Sequence, residues 1–155
     1  MKAMSEDPYQ ISVEFGIDSG KLPTVQQIQA WVRNALAGLC PAASLDLRIV
    51  DRDEIRTANL RFRKIDRPTN VLSFPADLPV SIGLNHLGDI MISAPVVAEE
   101  AISQGKTSNA HWAHLVTHGV LHLLGYDHQE DAAALEMENL EQKILKRIGI
   151  NIGHE

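Results

Sequence analysis

Residues 117–128 read THGVLHLLGYDH, a stretch that determines how the second half of the chain is organised. His118 and His122 are four residues apart, so on a helix their side chains project from one face about one turn apart. Gly125 stands where this helix is predicted to end, because a residue without a Cβ enters the left-handed conformation at little cost. The chain can then turn back and present His128. The stretch therefore predicts a helix, a glycine stop and three imidazoles that converge on one point.

Three converging imidazoles are typical of a metal site. Nitrogen ligands favour zinc over magnesium or calcium, and three protein ligands leave the fourth tetrahedral position open for water or substrate. An open position indicates catalysis rather than a structural role. A single histidine is more often an ordinary core or surface residue, and this is what we expect of His86 and His154. We predict one zinc ion per chain, held by His118, His122 and His128.

The three histidines and the glycine have the spacing of HExxHxxGxxH, the motif of the metzincin zinc peptidases. One element differs, because the glutamate that activates the metal-bound water in those enzymes is replaced by Gly119. Peptide hydrolysis is therefore disfavoured. Asp127 and Glu130 could replace the glutamate, but a carboxylate beside a ligand more often orients a histidine through a hydrogen bond. We expect this orienting role for Asp127.

The first half of the chain alternates strands with helices. Alternating apolar residues predict strands near residues 9–16 and 45–49. Between them, Thr24 is expected to cap a helix whose apolar positions recur at helical spacing until Gly38. Asp53 is a plausible cap for a second, short helix that follows the second strand.

Further strands and then helices are predicted along the rest of the chain. Apolar runs predict strands at residues 71–74 and 87–93. Helical patterns follow at about residues 95–104, 108–124 and 130–148. The apolar stripe of the last helix is expected to pack on the sheet, with partner binding as the alternative. The fold class is thus α+β, with a mixed sheet of about four strands, about five helices and a zincin-like zinc site on a helix of the C-terminal half.

Length and composition favour one domain over residues 1–155, in which we expect residues 1–8 to be flexible. The 45% of apolar residues can build a core, and no apolar stretch approaches the roughly 20 residues that cross a bilayer. The N-terminus lacks the apolar run of a secretory signal. Cys40 is the single cysteine and is expected to be a buried thiol. These features predict a soluble protein of the cytoplasm.

The charges are distributed unevenly. The net charge of −6 argues against a general nucleic-acid binder. Between Arg48 and Arg67, however, seven cations stand against four anions, whereas residues 68–155 hold four cations and eleven anions. A solvated helix face of mixed charge and a patch for an anionic ligand are both compatible with the basic stretch.

Three segments together resemble a known family. HGVLHLLGYDH is preceded by NLRFRKIDRPTNVLSF and by LGDIMIS, and these motifs closely resemble those of the bacterial YbeY family of rRNA maturation factors and endoribonucleases. The resemblance covers nearly the whole chain. It implies a single-strand-specific, metal-dependent endoribonuclease that acts in 16S rRNA 3′-end maturation and in ribosome quality control, with zinc on the three histidines. It also implies that Arg63, in NLRFR, is the functionally important arginine of the family.

The partners implied by the resemblance are single-stranded RNA of the 16S 3′ region and the small ribosomal subunit with its associated proteins. Binding to membranes or DNA is not expected. Arg63 could pair with a phosphate through its planar guanidinium, and its alternative role is a surface salt bridge. His114 lies one turn before His118 and could be a proton shuttle, a substrate contact or a neighbour that orients a ligand. Helix packing explains His114 equally well.

Other residues near these motifs are assigned less specific roles. Trp112 is expected in the core, and His111 has no assigned role. A cleft for single-stranded RNA could be lined by polar and aromatic residues of the TNVLSF segment, although a strand that simply packs would look similar. These residues are Thr69, Asn70, Ser73 and Phe74.

Three functions from different classes remain compatible with the sequence. The first is the metal-dependent endoribonuclease, with Arg63 and His114 as candidate catalytic residues. The second is a metzincin-like zinc hydrolase acting on peptides or small molecules, which the missing glutamate disfavours. The third is a zinc-containing ribosome-assembly factor that cuts no bond.

Overall fold

Four strands and five helices form the regular structure of the computed structural model, which describes residues 7–18, 20–76, 85–127 and 129–151. The strands are β1 (Tyr9–Phe15), β2 (Ala43–Val50), β3 (Val71–Pro75) and β4 (His86–Ser93). The helices are α1 (Val25–Leu36), α2 (Arg52–Arg63), α3 (Ala94–Ser103), α4 (Ser108–Leu123) and α5 (Asp131–Lys146). The predicted α+β class is confirmed.

Three expectations concern residues outside the described ranges. His128 and His154 are not described, and neither are residues 1–6 of the segment 1–8. Asp7, at the start of the described chain, accepts a hydrogen bond from the guanidinium of Arg33 at 2.5 Å. This pair ties the approach to β1 to helix α1.

The sheet is mixed and has the strand order β1-β2-β4-β3. The pairs β1–β2 and β2–β4 are parallel, whereas β3 runs antiparallel to β4. One face of the central strands β2 and β4 is buried under helices, so their buried aliphatic residues alternate with more exposed ones such as Asp46 and Asp89. Strand β3 therefore lies at one edge of the sheet, beside the candidate site.

The two faces of the sheet carry different helices. Helices α1 and α4 pack on one face and enclose the main core, which includes Trp112 as expected. Helix α2 covers the other face near β3 and β4, over a smaller cluster of apolar side chains. The buried members of this cluster are Val50, Ile55, Ala58 and Leu72. Cys40 is a buried thiol, as expected.

Side chains cap the starts of α1, α2 and α4. The Thr24 hydroxyl accepts a hydrogen bond from the Gln27 amide at 3.1 Å, and the Gln27 side chain accepts one from the Thr24 amide at 2.9 Å. Thr24 thus caps α1 as predicted. The prediction of Asp53 as the cap of α2 is wrong, because the carboxylate of Asp51 accepts from the Glu54 amide at 2.9 Å. Asp53 lies in the first turn instead, where its charge favours the helix dipole.

Helix α5 does not pack on the sheet, contrary to the prediction. Its buried side chains lie against α4 and α1, because those two helices already cover that face. Leu135 and Ile148 are exposed, although both belong to the predicted apolar stripe. Among the described helices, none combines the length and the apolar character that crossing a bilayer requires.

A bulge at Gly88 sets the register of β4. Ser44 pairs with His86, but the next residue of β2 pairs with Gly88, so β4 advances by one extra residue. Gly88 has a φ of +139°, and a Cβ on it would lie 2.2 Å from the carbonyl oxygen of Phe74. Only glycine fits this position without distortion. The extra residue brings His86 and Asp89 to one face of the sheet.

We expect Gly88→Ala to lower the free energy of unfolding by about 3 kcal/mol or more, because the new methyl group overlaps the backbone of β3. Gly38→Ala is the matched control, since Gly38 also has a positive φ but has no atom within 4 Å of the added Cβ. It should cost about 1 kcal/mol. Urea denaturation followed by circular dichroism measures both values. Equal losses in the two variants would contradict the role of the bulge.

Candidate metal centre

Helix α4 lies directly against strands β3 and β4 at Gly119. A Cβ on Gly119 would lie 3.1 Å from the side chain of Ile90 and 3.4 Å from the hydroxyl of Ser73. The Ser73 hydroxyl donates a hydrogen bond to the carbonyl oxygen of Gly119 at 2.9 Å. Any side chain at position 119 would therefore require Ile90 or α4 to shift by a few tenths of an ångström. This close contact favours glycine at the position where the metzincins carry a glutamate.

His118 and His122 face one another one turn apart on α4. Their Nε2 atoms are 3.1 Å apart, and their ring centroids are 4.6 Å apart. Two nitrogens bound to one tetrahedral zinc, each at about 2.0–2.1 Å, lie roughly 3.3 Å from one another. The pair therefore has the geometry of two ligands of one metal. The helix ends at Leu123, and Gly125 follows with a φ of +101°, as predicted.

Glu141 of α5 is the carboxylate that contacts His118. The Nδ1 atom of His118 donates to Oε2 of Glu141, and Nε2 of His114 donates to Oε1 at 3.0 Å. A hydrogen bond on Nδ1 fixes the tautomer in which Nε2 carries the lone pair, which is typical of metal-binding histidines. The contact therefore directs the Nε2 lone pair of His118 toward His122.

Glu141 is buried yet ionised. Burial alone would raise its pKa, but the hydrogen bonds from His114 and His118 outweigh that effect and lower the pKa to about 2. A buried carboxylate is stable only when its charge is paired and its oxygens are hydrogen-bonded, as here. Sequence reasoning missed Glu141. The signal was available, because this glutamate interrupts the buried stripe of α5 between Met137 and Ile144.

His114 is placed next to Glu141 and away from the open side of the histidine pair. It lines a cavity of about 340 Å³ together with Lys106, His118 and Glu141. Lys106 Nζ lies 3.4 Å from Nδ1 of His114, on the side of the ring opposite Glu141. Each ring nitrogen of His114 therefore has its own partner, Lys106 at Nδ1 and Glu141 at Nε2.

His111 is buried in the same cavity wall and serves a structural role. Its Nε2 lies 2.8 Å from a carboxylate oxygen of Glu100, which also accepts from the side chain of Asn70 at 3.0 Å. This chain of contacts ties the start of β3 to α3 and α4. Burial lowers the pKa of His111, although the hydrogen bond to Glu100 acts in the opposite direction.

A groove of about 750 Å³ runs beside the two histidines. Strand β3 lines it throughout, the C-terminal end of α2 contributes Phe62 and Arg63, and α4 contributes His118 and His122. Asp127 also lines it, with its carboxylate accepting from the Gln129 amide at 3.3 Å. The groove therefore brings together most of the residues singled out from the sequence. The groove is also lined by the residues of the TNVLSF segment that the sequence singled out, which are Thr69, Asn70, Ser73 and Phe74.

The edge of β3 offers polar backbone groups to this groove. The Ser93 amide donates to the Asn70 carbonyl at 3.0 Å, and the Ala76 amide donates to the Leu87 carbonyl at 2.9 Å. Alternate residues of an antiparallel edge strand point their backbone groups away from the neighbouring strand. Asn70 and Ala76 direct their backbone groups toward β4, and alternation assigns the same direction to the even-numbered residues between them. Ser73 is odd-numbered, so its N–H and C=O point away from β4, toward the groove.

The basic stretch divides into two groups. Three arginines nearer its start form salt bridges and correspond to a solvated face of mixed charge. They are Arg48, Arg52 and Arg56. Four exposed cations at the end of α2 and in the turn after it make no ion pair within the part of the chain that the structure describes. These four, Arg61, Arg63, Lys64 and Arg67, are called the basic patch.

Comparison with known proteins agrees with this arrangement. The family model described as Endoribonuclease YbeY matches residues 16–149. This chain belongs to the YbeY endoribonuclease family. The resemblance inferred from the sequence motifs is confirmed, and membership implies an endoribonuclease role in rRNA processing.

A solved structure shows the same fold as this member of the YbeY family. It is the solution structure of a Thermotoga maritima protein, which is 24% identical, with 90% of this chain and 91% of that chain covered. The TM-score is 0.57. The similarity of fold therefore extends over most of both chains.

A second group with possible metal ligands lies on the sheet face opposite α4. One ligand atom each from Asp46, His86 and Asp89 lies within 4.8 Å of the others. Burial and the neighbouring Asp46 carboxylate raise the pKa of Asp89. His86 makes the ordinary hydrogen bond expected of it, with Nδ1 2.8 Å from the Ser44 hydroxyl. Sequence reasoning missed this group, because only strand pairing and the bulge of β4 bring it together.

We expect Glu141→Gln to weaken zinc binding about 10- to 100-fold, because an amide holds Nδ1 of His118 less firmly than a carboxylate does. Glu138→Gln, on an exposed position of the same helix, is the control and should leave zinc affinity unchanged. Competition against a chelating dye measures both affinities. Equal affinities in wild type and Glu141→Gln would show that Glu141 does not orient the ligand.

His111 predicts a pH dependence of stability. Its pKa is lowered on folding, so the unfolded chain binds this proton at a higher pH than the folded chain. The free energy of unfolding should therefore fall as the pH decreases below about 6.5, the usual value for histidine. His111→Phe is expected to reduce this loss. Urea denaturation between about pH 7 and 5 tests it, and parallel curves for the two proteins would contradict the assignment.

Proposed function

We propose that this chain is a zinc-dependent endoribonuclease for single-stranded RNA that acts in 16S rRNA 3′-end maturation and ribosome quality control. The observation that carries the proposal is the groove that Arg63 shares with His118 and His122. Family membership supports the RNA substrate. The domain comprises residues 1–155, and its work on ribosomal RNA takes place in the cytoplasm with small-subunit proteins as partners.

His118, His122 and His128 are the proposed ligands of one zinc ion per chain. The 3.1 Å separation of the two Nε2 atoms and the Glu141 carboxylate support the pair on α4. When bound, zinc supplies a Lewis acid for a phosphoryl oxygen and a bound water whose pKa is about 7. Asp127 is proposed to hydrogen-bond a ligand histidine from the groove side.

Arg63 and His114 are the proposed contributors to catalysis from the chain itself. The exposed guanidinium of Arg63 can bind two non-bridging oxygens of a phosphodiester and stabilise the charge that builds on them. His114 acts through Glu141, since it shares that carboxylate with His118. It thereby holds the hydrogen bond that orients the ligand.

The shape and charge of the groove favour an unpaired RNA strand. Duplex RNA displays its phosphates and ribose hydroxyls, whereas a single strand can turn its bases toward protein side chains and backbone edges. The groove offers the edge of β3, an aromatic pair and the adjoining basic patch. Binding confined to the basic patch reconciles RNA recognition with the net charge of −6.

The test is cleavage of a short single-stranded RNA from the 16S 3′ end, paired with metal analysis. Wild type should carry about one zinc per chain and cut the RNA, and His118→Ala/His122→Ala should do neither. Arg63→Ala should keep its zinc but lose about 100-fold or more in cleavage, because one donor to the developing charge is removed. Arg52→Ala is the control and should cleave normally, because Arg52 lies on the same helix as Arg63 but is paired with Glu99 of α3.

Each alternative function has its own outcome in this experiment. A wild type that binds zinc but leaves the RNA intact, while still supporting rRNA maturation, would indicate an assembly factor that cuts no bond. Hydrolysis of casein in place of RNA would indicate a metzincin-like hydrolase. Full activity of Arg63→Ala would remove the proposed role of that residue.

A further inference from the structure

Two phenylalanine rings form a pair at the groove beside the histidines. Phe62 of α2 is 61% exposed, whereas Phe74 of β3 is half-buried. Their ring centroids are 5.1 Å apart in an edge-to-face arrangement with an interplanar angle of 63°. An aromatic ring this exposed gains little from hydrophobic burial. Its position therefore calls for a different explanation.

The position of Phe62 follows from the geometry of α2. Ile55 and Ala58 are buried on the face of α2 that packs against the sheet, and Phe62 continues this helical stripe by one more turn. At that turn the helix reaches the edge strand β3, where Phe74 supports the ring from the side. The last member of the stripe thus emerges at the groove instead of in the core.

The pair stands between two cavities of opposite character. On one side lies the groove, whose charged residues are Arg63 and Asp127 and which adjoins the basic patch. On the other side lies a cavity of about 620 Å³ that both rings also line, with the carboxylates of Glu14, Asp46 and Asp89 and with Arg48, which is paired to Glu14 and Glu54. The balance of charge therefore favours a polyanion on the groove side. An RNA strand in the groove therefore meets the rings at its border.

Arg61 places a positive charge over one face of the Phe62 ring. The guanidinium carbon of Arg61 lies 5.5 Å from the centroid of Phe62. The basic patch, which includes Arg61 and Lys64, makes no ion pair within the described ranges. An exposed aromatic face beside cations is the combination that binds a nucleobase and its phosphate.

We propose that Phe62, supported by Phe74 and flanked by Arg61, is a stacking platform for one unpaired base of the RNA strand in the groove. The platform rests on the proposed function, because its ligand is the substrate of that function. A base held in a duplex is already stacked and paired, so it cannot reach the ring. The platform therefore also contributes to the preference for single strands.

The experiment measures KM and kcat for cleavage of a short single-stranded oligoribonucleotide from the 16S 3′ end. Phe62→Ala should raise KM about 5- to 100-fold, the effect of losing one base–aromatic stack, with a smaller change in kcat. Phe62→Leu keeps the packing against Phe74 but lacks a π face, so it should show the same loss. Phe62→Tyr should behave as wild type. Leu60→Ala is the matched control, because Leu60 is exposed on the same helix and lines neither cavity.

A second series identifies the base that stacks. An abasic nucleotide is placed at each position of the oligoribonucleotide in turn. In wild type, one position should raise KM as much as Phe62→Ala does. In Phe62→Ala, an abasic nucleotide at that position should cause no further loss, because the partner ring is already absent.

The outcomes separate this proposal from the proposed function. An active wild type together with a fully active Phe62→Ala would overturn the platform alone. The platform is also overturned if the abasic effect persists unchanged in Phe62→Ala, or if Phe62→Leu matches wild type. A zinc-loaded wild type that leaves the RNA intact removes the proposed function, and the platform with it.

Discussion

The contact of Gly119 with strands β3 and β4 is the constraint on which the rest of the site depends. Because position 119 carries no side chain, α4 lies close enough to the sheet for the Ser73 hydroxyl to reach its backbone. This approach sets His118 and His122 beside the edge strand, where the groove begins. The same glycine takes the place of the glutamate on which zinc peptidases depend. One small residue thus allows the close approach that positions the histidines, at the point in the motif where zinc peptidases carry a glutamate.

Helix α5 supplies the second condition, which is a charged group in an otherwise apolar interface. Its buried face packs on α4 and α1 and carries Glu141 into contact with His114 and His118. The hydrogen bonds of two imidazoles stabilise the buried carboxylate, and the carboxylate in turn fixes the orientation of His118. Packing of α5 is therefore coupled to the geometry of the histidine pair. Neither element alone determines the direction of the lone pair on Nε2.

The charge of the chain matters by location more than by sum. Salt bridges neutralise the arginines at the start of the basic stretch, whereas the basic patch at the end of α2 stays exposed beside the groove. The acidic residues Asp46 and Asp89 lie in the cavity on the other side of the Phe62–Phe74 pair. This distribution of charge favours a polyanion on the groove side of the pair. This separation allows an acidic protein to belong to a family of RNA-cleaving enzymes.

The sequence by itself determined the element order, the cap at Thr24, the glycine stop after α4 and the one-turn spacing of His118 and His122, because these features depend on local periodicity and local backbone conformation. It also carried the family motifs. Only the tertiary structure decided that Glu141, and not a neighbour in sequence, orients His118, and that α5 packs on helices instead of on the sheet. It likewise decided that Phe62 meets Phe74 at the groove and that the β4 bulge joins Asp46, His86 and Asp89. These contacts join residues distant in sequence, so strand pairing and helix packing determine them, and no local pattern encodes them.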